Sequence, residues 1–121
     1  MNLSKLSAEI DSLIENFGVY PYSFFNILHL SDNPNLDLTK QNEIWQDIKT
    51  EDWHDLRLEA YSLWAITDNG DLLWWNEKQT IAMNPRAQEY MALPVNPRQL
   101  IRLIGLGKVT GIFPPALWQG A

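Results

Sequence analysis

Apolar residues recur at Leu3, Leu6, Ile10, Leu13, Ile14 and Phe17, at spacings of three and four, which lays them on one stripe of a helix that Gly18 ends. The pattern then changes to a short aromatic and β-branched run, Phe24, Phe25, Ile27, Leu28 and Leu30, bounded by Pro21 and by Ser31-Asp32-Asn33-Pro34. That run predicts a buried strand within residues 22–30. Over residues 39–49 a narrower stripe of Ile44, Trp45 and Ile48 predicts a second helix, capped by Asp37 or Thr39, with a restart after Thr50 where Glu51, Asp52 and Trp53 follow a capping-type threonine.

The strongest local signal comes next. Leu63-Trp64-Ala65-Ile66-Thr67 and Leu72-Leu73-Trp74-Trp75 flank Asp68-Asn69-Gly70-Asp71, and Asn-Gly between two apolar runs predicts a hairpin with a type I′ turn. Strands over residues 80–83 and 89–93 extend it to a four-strand meander. Asn96-Pro97-Arg98-Gln99 supplies a cap residue, a proline at the first helical position and a capping-box glutamine, so a third helix carries Leu100, Ile101, Leu103 and Ile104 until Gly105 or Gly107. The segment from Ile112 to Trp118 is too apolar for water and too rich in proline for regular structure, so it is expected to pack over a sheet edge or helix. Together these elements predict one α+β domain over residues 1–121, with an antiparallel sheet of about four to six strands and helices packed on one side.

Composition narrows what such a domain can do. With no cysteine, disulfides and thiolate metal sites are excluded, and only His29 and His54 could offer nitrogen ligands. The first seventeen residues are interrupted by Glu9, Asp11 and Glu15, unlike the core of a signal peptide, and no apolar run approaches the ~20 residues of a membrane crossing, so a cytoplasmic protein is expected. The net charge of −6 is uneven: residues 9–71 carry thirteen acids against three bases, whereas residues 72–121 carry two acids against five bases. Such an acidic surface repels phosphate and disfavours nucleic acid, while it steers basic proteins inward.

Catalytic patterns do not emerge. There is no G-x-S-x-G, His29 alternates along an apolar strand as hydrogen-bonded core histidines do, and His54 lies between acids. Asp32-Asn33-Pro34-Asn35-Leu36-Asp37 is rich in oxygen but puts proline at a ligand position and aspartate where a calcium loop needs glycine, so turn chemistry explains it better. Asp68 and Asp71 flank a turn expected to be exposed, where carboxylates keep ordinary pKa values. The expectation is no catalytic residue, no metal and no cofactor.

Binding features are stronger. Glu43, Asp47 and Glu51 are four apart and align if the helix continues through Thr50; with Asp52 and Asp55 they form a candidate acidic patch for a basic protein partner, or a solvated helix face broken at a cap. Neighbouring Trp74 and Trp75 point to opposite sheet faces, so one of them meets a second layer, a groove or solvent; it is either an interface anchor or packs under the chain's C-terminal segment.

The run from Trp64 through Thr67-Asp68-Asn69-Gly70-Asp71 to Trp75 resembles the SUKH superfamily, which includes bacterial toxin-immunity proteins and fungal cell-wall-synthesis regulators. Leu13-Ile14-Glu15-Asn16-Phe17-Gly18, the strand and proline-asparagine loop of residues 24–38, and Leu100 to Leu103 followed by Ile112-Phe113-Pro114 are similar to the same family in the same order. This resemblance implies an α+β fold without catalytic residues and, in bacteria, an immunity protein that binds and neutralises a cognate toxin. The alternatives are a regulatory adaptor for a housekeeping protein and, less favoured by the residues, a small-molecule or enzymatic domain.

Overall fold

The structure, a computed structural model, describes residues 3–50, 56–109 and 111–113. Helix α1 (Leu3–Phe17) buries Leu6, Ile10 and Leu13, and Gly18, with φ +79°, ends it by returning its N–H to the Ile14 carbonyl. A short 3-10 turn (Pro21–Ser23) leads into β1 (Phe25–Ile27), so the predicted strand is cut to three residues. Helix α2 (Leu38–Ile44) passes into a 3-10 turn (Trp45–Thr50), and another 3-10 turn (Leu58–Ala60) precedes β2 (Ser62–Thr67). Strands β3 (Leu72–Trp75), β4 (Thr80–Asn84) and β5 (Glu89–Leu93) follow, and α3 (Pro97–Gly105) is the last helix described. All five strands pair antiparallel in chain order, so the predicted meander gains β1 as a fifth member and the fold is α+β.

The hairpin forms, but by a different turn. Neither Asp68 nor Asn69 has positive φ, while Gly70 has φ +86°, and the Gly70 N–H bonds the Thr67 carbonyl. This is a type I turn followed by a left-handed glycine, the three-residue hairpin loop, and not the expected type I′ pair. The capping box at Asn96 and Gln99 forms as predicted. At the other end of α3, Gly107 donates to Ile104 and Lys108 to Leu103, a Schellman closure that makes Gly107 the stop.

Strand β2 carries a bulge between Leu63 and Ala65. Because β1 stops at Ile27, the N–H and C=O of Leu63 have no strand opposite them, and the Asn42 side chain of α2 takes both, at 2.8 and 2.9 Å. One amide thus does locally what a neighbouring strand does elsewhere and docks α2 on the sheet.

Sheet registry divides the side chains into two faces. Leu63, Leu72, Trp74, Ile81 and Met83 share one face; Phe25, Ile27, Ala65, Leu73, Trp75 and Ala82 share the other, and every one of these is buried. On the second face Phe25 meets Phe24 and Phe113 edge-on, with ring centroids 5.2 and 5.3 Å apart. The described part of the apolar C-terminal segment therefore packs against an edge strand, as its composition predicted. Helices α1 and α3 pack together, and Arg98 of α3 donates from Nε to Glu9 and from Nη1 to the Ser12 hydroxyl, both on α1.

Candidate partner-binding surface

Helix α2 begins where the oxygen-rich loop ends. The Asp37 carboxylate caps it, accepting the N–H groups of Lys40 at 2.9 Å and Ser31 at 3.1 Å, and these bonds lower its pKa. Ser31 and Asn33 side chains accept backbone N–H groups within the same loop. Residues 31–37 thus spend oxygens on turn and cap geometry.

The buried stripe of α2 differs from the predicted one. Leu38 and Gln41 are buried and Trp45 is half-buried, with Gln41 bonding both the Trp45 Nε1–H and the Pro34 carbonyl. Ile44 falls off this row and is 52% exposed. Counting the stripe from Leu38, at spacings of three and four, places Ile44 outward.

Glu43 and Asp47 are both exposed, as the acidic-patch reading requires. They do not continue one α-helical row, because the α-helix gives way at Trp45 to a segment wound at about three residues per turn, where residues four apart no longer stack. The break falls earlier than Thr50 and relieves the like-charge repulsion of an unbroken acidic row. Glu51, Asp52, Asp55 and His54 lie outside the described residues. Exposed Glu59 sits on the 3-10 turn that packs against the one bearing Asp47, an acid that the four-residue spacing of Glu43, Asp47 and Glu51 does not reach.

Trp74 and Trp75 do point to opposite faces, but neither is an exposed anchor: Trp74 is fully buried and Trp75 is 7% exposed. The reason is that β3 is the middle strand of five and is covered on both sides. The Trp75 Nε1–H meets no acceptor among the described residues. The large apolar side chains that do reach the surface include Ile44, beside Glu43, and Val19 and Tyr20 near the hairpin turn.

At that turn the two aspartates separate. Asp68 is exposed and accepts from the Tyr20 hydroxyl and, at 2.9 Å, from the Asn26 amide. Asp71 is only 1% exposed, contrary to the expectation for a turn carboxylate. It accepts the Thr67 hydroxyl at 2.8 Å, while the same hydroxyl oxygen accepts the Asp71 N–H at 3.0 Å. Burial raises its pKa, against the opposing pull of the Thr67 bond and of nearby Arg86. Its carboxyl is a brace across the loop. His29, half-buried, keeps Nδ1 2.9 Å from the Ile27 carbonyl, which is the structural role expected of it.

Among the described residues no helix is long and apolar enough to cross a membrane. No protein-family model, curated protein or solved structure matches this chain.

Proposed function

We propose that this chain is a non-catalytic protein-binding module, an immunity protein of the SUKH kind that acts in the cytoplasm by binding a basic toxin and occluding its working surface. The observation that carries the reading is the outward end of α2, where exposed Glu43 and Ile44 are followed by exposed Asp47 inside a stretch with ten more acids than bases. Acids at the rim steer a basic partner and raise the association rate, and a desolvated apolar side chain then slows dissociation. Ile44 takes the anchoring role first considered for Trp74 and Trp75, with Glu51, Asp52 and Asp55 next along the chain as further acidic contributors.

The motif behind the family resemblance has a physical logic that supports the reading. In Thr67-Asp68-Asn69-Gly70-Asp71, the threonine and the second aspartate bond each other, the first aspartate holds Tyr20 and Asn26, and the glycine takes the left-handed position. Each of those residues serves the loop, so the motif marks a scaffold and leaves recognition to other surfaces.

The test is binding of the purified toxin encoded beside this protein. Reversing Glu43 and Asp47 to lysine is expected to lower the association rate about tenfold at low salt, with the difference shrinking as salt is raised. Ile44→Ser should act on dissociation instead. A toxin that does not bind removes the immunity reading; one that binds all three variants like the parent protein removes this surface.

A further inference from the structure

An open cleft of about 400 Å³ lies between the C-terminal end of α1 and α3, lined by Asn16, Phe17, Asn96, Arg98, Gln99 and Arg102. Its volume falls within the range of small-molecule sites. Its chemistry runs against the rest of the molecule: in a chain of net charge −6, two of the nine basic side chains converge here and, among the described residues, no carboxylate lines the walls.

The two guanidinium groups are held differently. Arg98 is fixed by α1, its Nε on Glu9 and its Nη1 on Ser12, which orients the planar fork and leaves Nη2 without a hydrogen bond among the described residues. Glu9 offsets about one of the two positive charges, so the pair retains the other. Arg102 is exposed, follows Arg98 by four residues on α3, and has no ion pair among the described residues. Like charges at that spacing repel unless an anion lies between them. The backbone donors at the start of α3 are already used, since Asn96 takes the Gln99 N–H and Glu9 the Arg98 N–H. The cleft's attraction for an anion therefore comes from the side chains. Asn16, Asn96 and Gln99 add amide groups at the rim, and half-buried Phe17 adds an apolar wall.

We propose that this cleft binds a small organic anion, with a carboxylate or phosphate head between Arg98 and Arg102 and a flat apolar body against Phe17. The site is independent of the acidic surface at α2, so toxin neutralisation and ligand binding stand or fall separately.

The experiment is an amide NMR titration of the full chain with phenyl phosphate, benzoate, inorganic phosphate and uncharged benzyl alcohol. Expected are saturable shifts at Asn16, Phe17, Asn96, Gln99 and Arg102 with the two aromatic anions, weaker binding of inorganic phosphate, and none of the alcohol. Arg102→Gln should weaken phenyl phosphate about tenfold, the order of one charge-assisted hydrogen bond. Arg102 also suits the negative end of the α3 dipole, a role that lysine preserves. Arg102→Lys should therefore keep the unfolding midpoint yet lose affinity, because the planar fork is gone. Shifts that do not saturate, benzyl alcohol binding as well as the anions, or parent-like affinity in both Arg102 variants overturns the proposal.

Discussion

Two carboxylates displaced in opposite directions make acid stability a residue-scale question. Asp71 has its pKa raised by burial, so between the ordinary value of 3.8 and its own the folded protein binds the extra proton, and stability falls as pH rises through that window. Asp37 is lowered chiefly by the Lys40 N–H and then the Ser31 N–H, so its stabilisation is complete above 3.8 and is lost as pH falls through its folded value. Urea midpoints should thus rise as pH falls through the folded value of Asp71 toward 3.8 and drop as it falls further through that of Asp37. Asp71→Asn is expected to flatten the upper slope alone and Asp37→Asn to soften the lower one; unchanged slopes count against the assignments. A third residue-scale case is Gly105, where an added Cβ would collide with the Tyr22 hydroxyl oxygen. That hydroxyl donates to the Ile101 carbonyl and anchors a tyrosine held at φ +58°. Alanine gains about 1 kcal/mol of helix propensity, yet Gly105→Ala should destabilise by about 1–3 kcal/mol because the contact overpacks. Adding Tyr22→Phe should recover part of the loss, read as a coupling energy in a double-mutant cycle.

Among elements, the joint between α2 and β2 depends on one side chain. Asn42 satisfies both the N–H and the C=O of buried Leu63, so Asn42→Ala leaves two groups without partners and should cost about 2–4 kcal/mol in urea unfolding. Asn42→Asp retains an acceptor for the N–H but sets a carboxylate against the carbonyl, and is expected to rescue little. Nothing local in Lys40-Gln41-Asn42-Glu43 announces that role, because it depends on β1 stopping short at Ile27 and on the bulge in β2. Helix α3 differs. Asn96, Pro97, Gln99 and Gly107 act within a few residues of themselves, so both ends of that helix could be read directly from the chain. The hairpin was legible for the same reason, and only its turn type was missed, since Asn-Gly suits either a type I′ turn or a type I turn closed by a left-handed glycine. Strand alternation correctly sent Trp74 and Trp75 to opposite faces, but whether both faces are covered is set by the packing of distant segments. The acidic positions of the candidate surface were readable, whereas its apolar member, Ile44, depended on which residues of α2 turn inward.

For the molecule as a whole, one buried cluster runs from Leu6 of α1 through every strand's neighbours to Phe113, joining residues more than a hundred positions apart. Phe113 closes that cluster on β1, and β1 in turn pairs with β2 forty residues later at Phe25↔Thr67. A core assembled from such distant pieces gives no piece an independent reason to persist, so loss at one end should be felt throughout. Phe113→Ala removes a buried ring and its edge-on contact and should cost about 3–5 kcal/mol. The decisive reading is the shape of unfolding more than its midpoint: tryptophan fluorescence, to which the buried indoles of Trp64, Trp74 and Trp75 in β2 and β3 contribute, and far-ultraviolet circular dichroism, which follows the helices, should shift together and remain superimposable. If the helical signal held its midpoint while the fluorescence moved, α1 and α3 would form a unit separable from the sheet. The Glu9–Arg98 pair would then join those two helices only, without tying their stability to the aromatic cluster around Phe25.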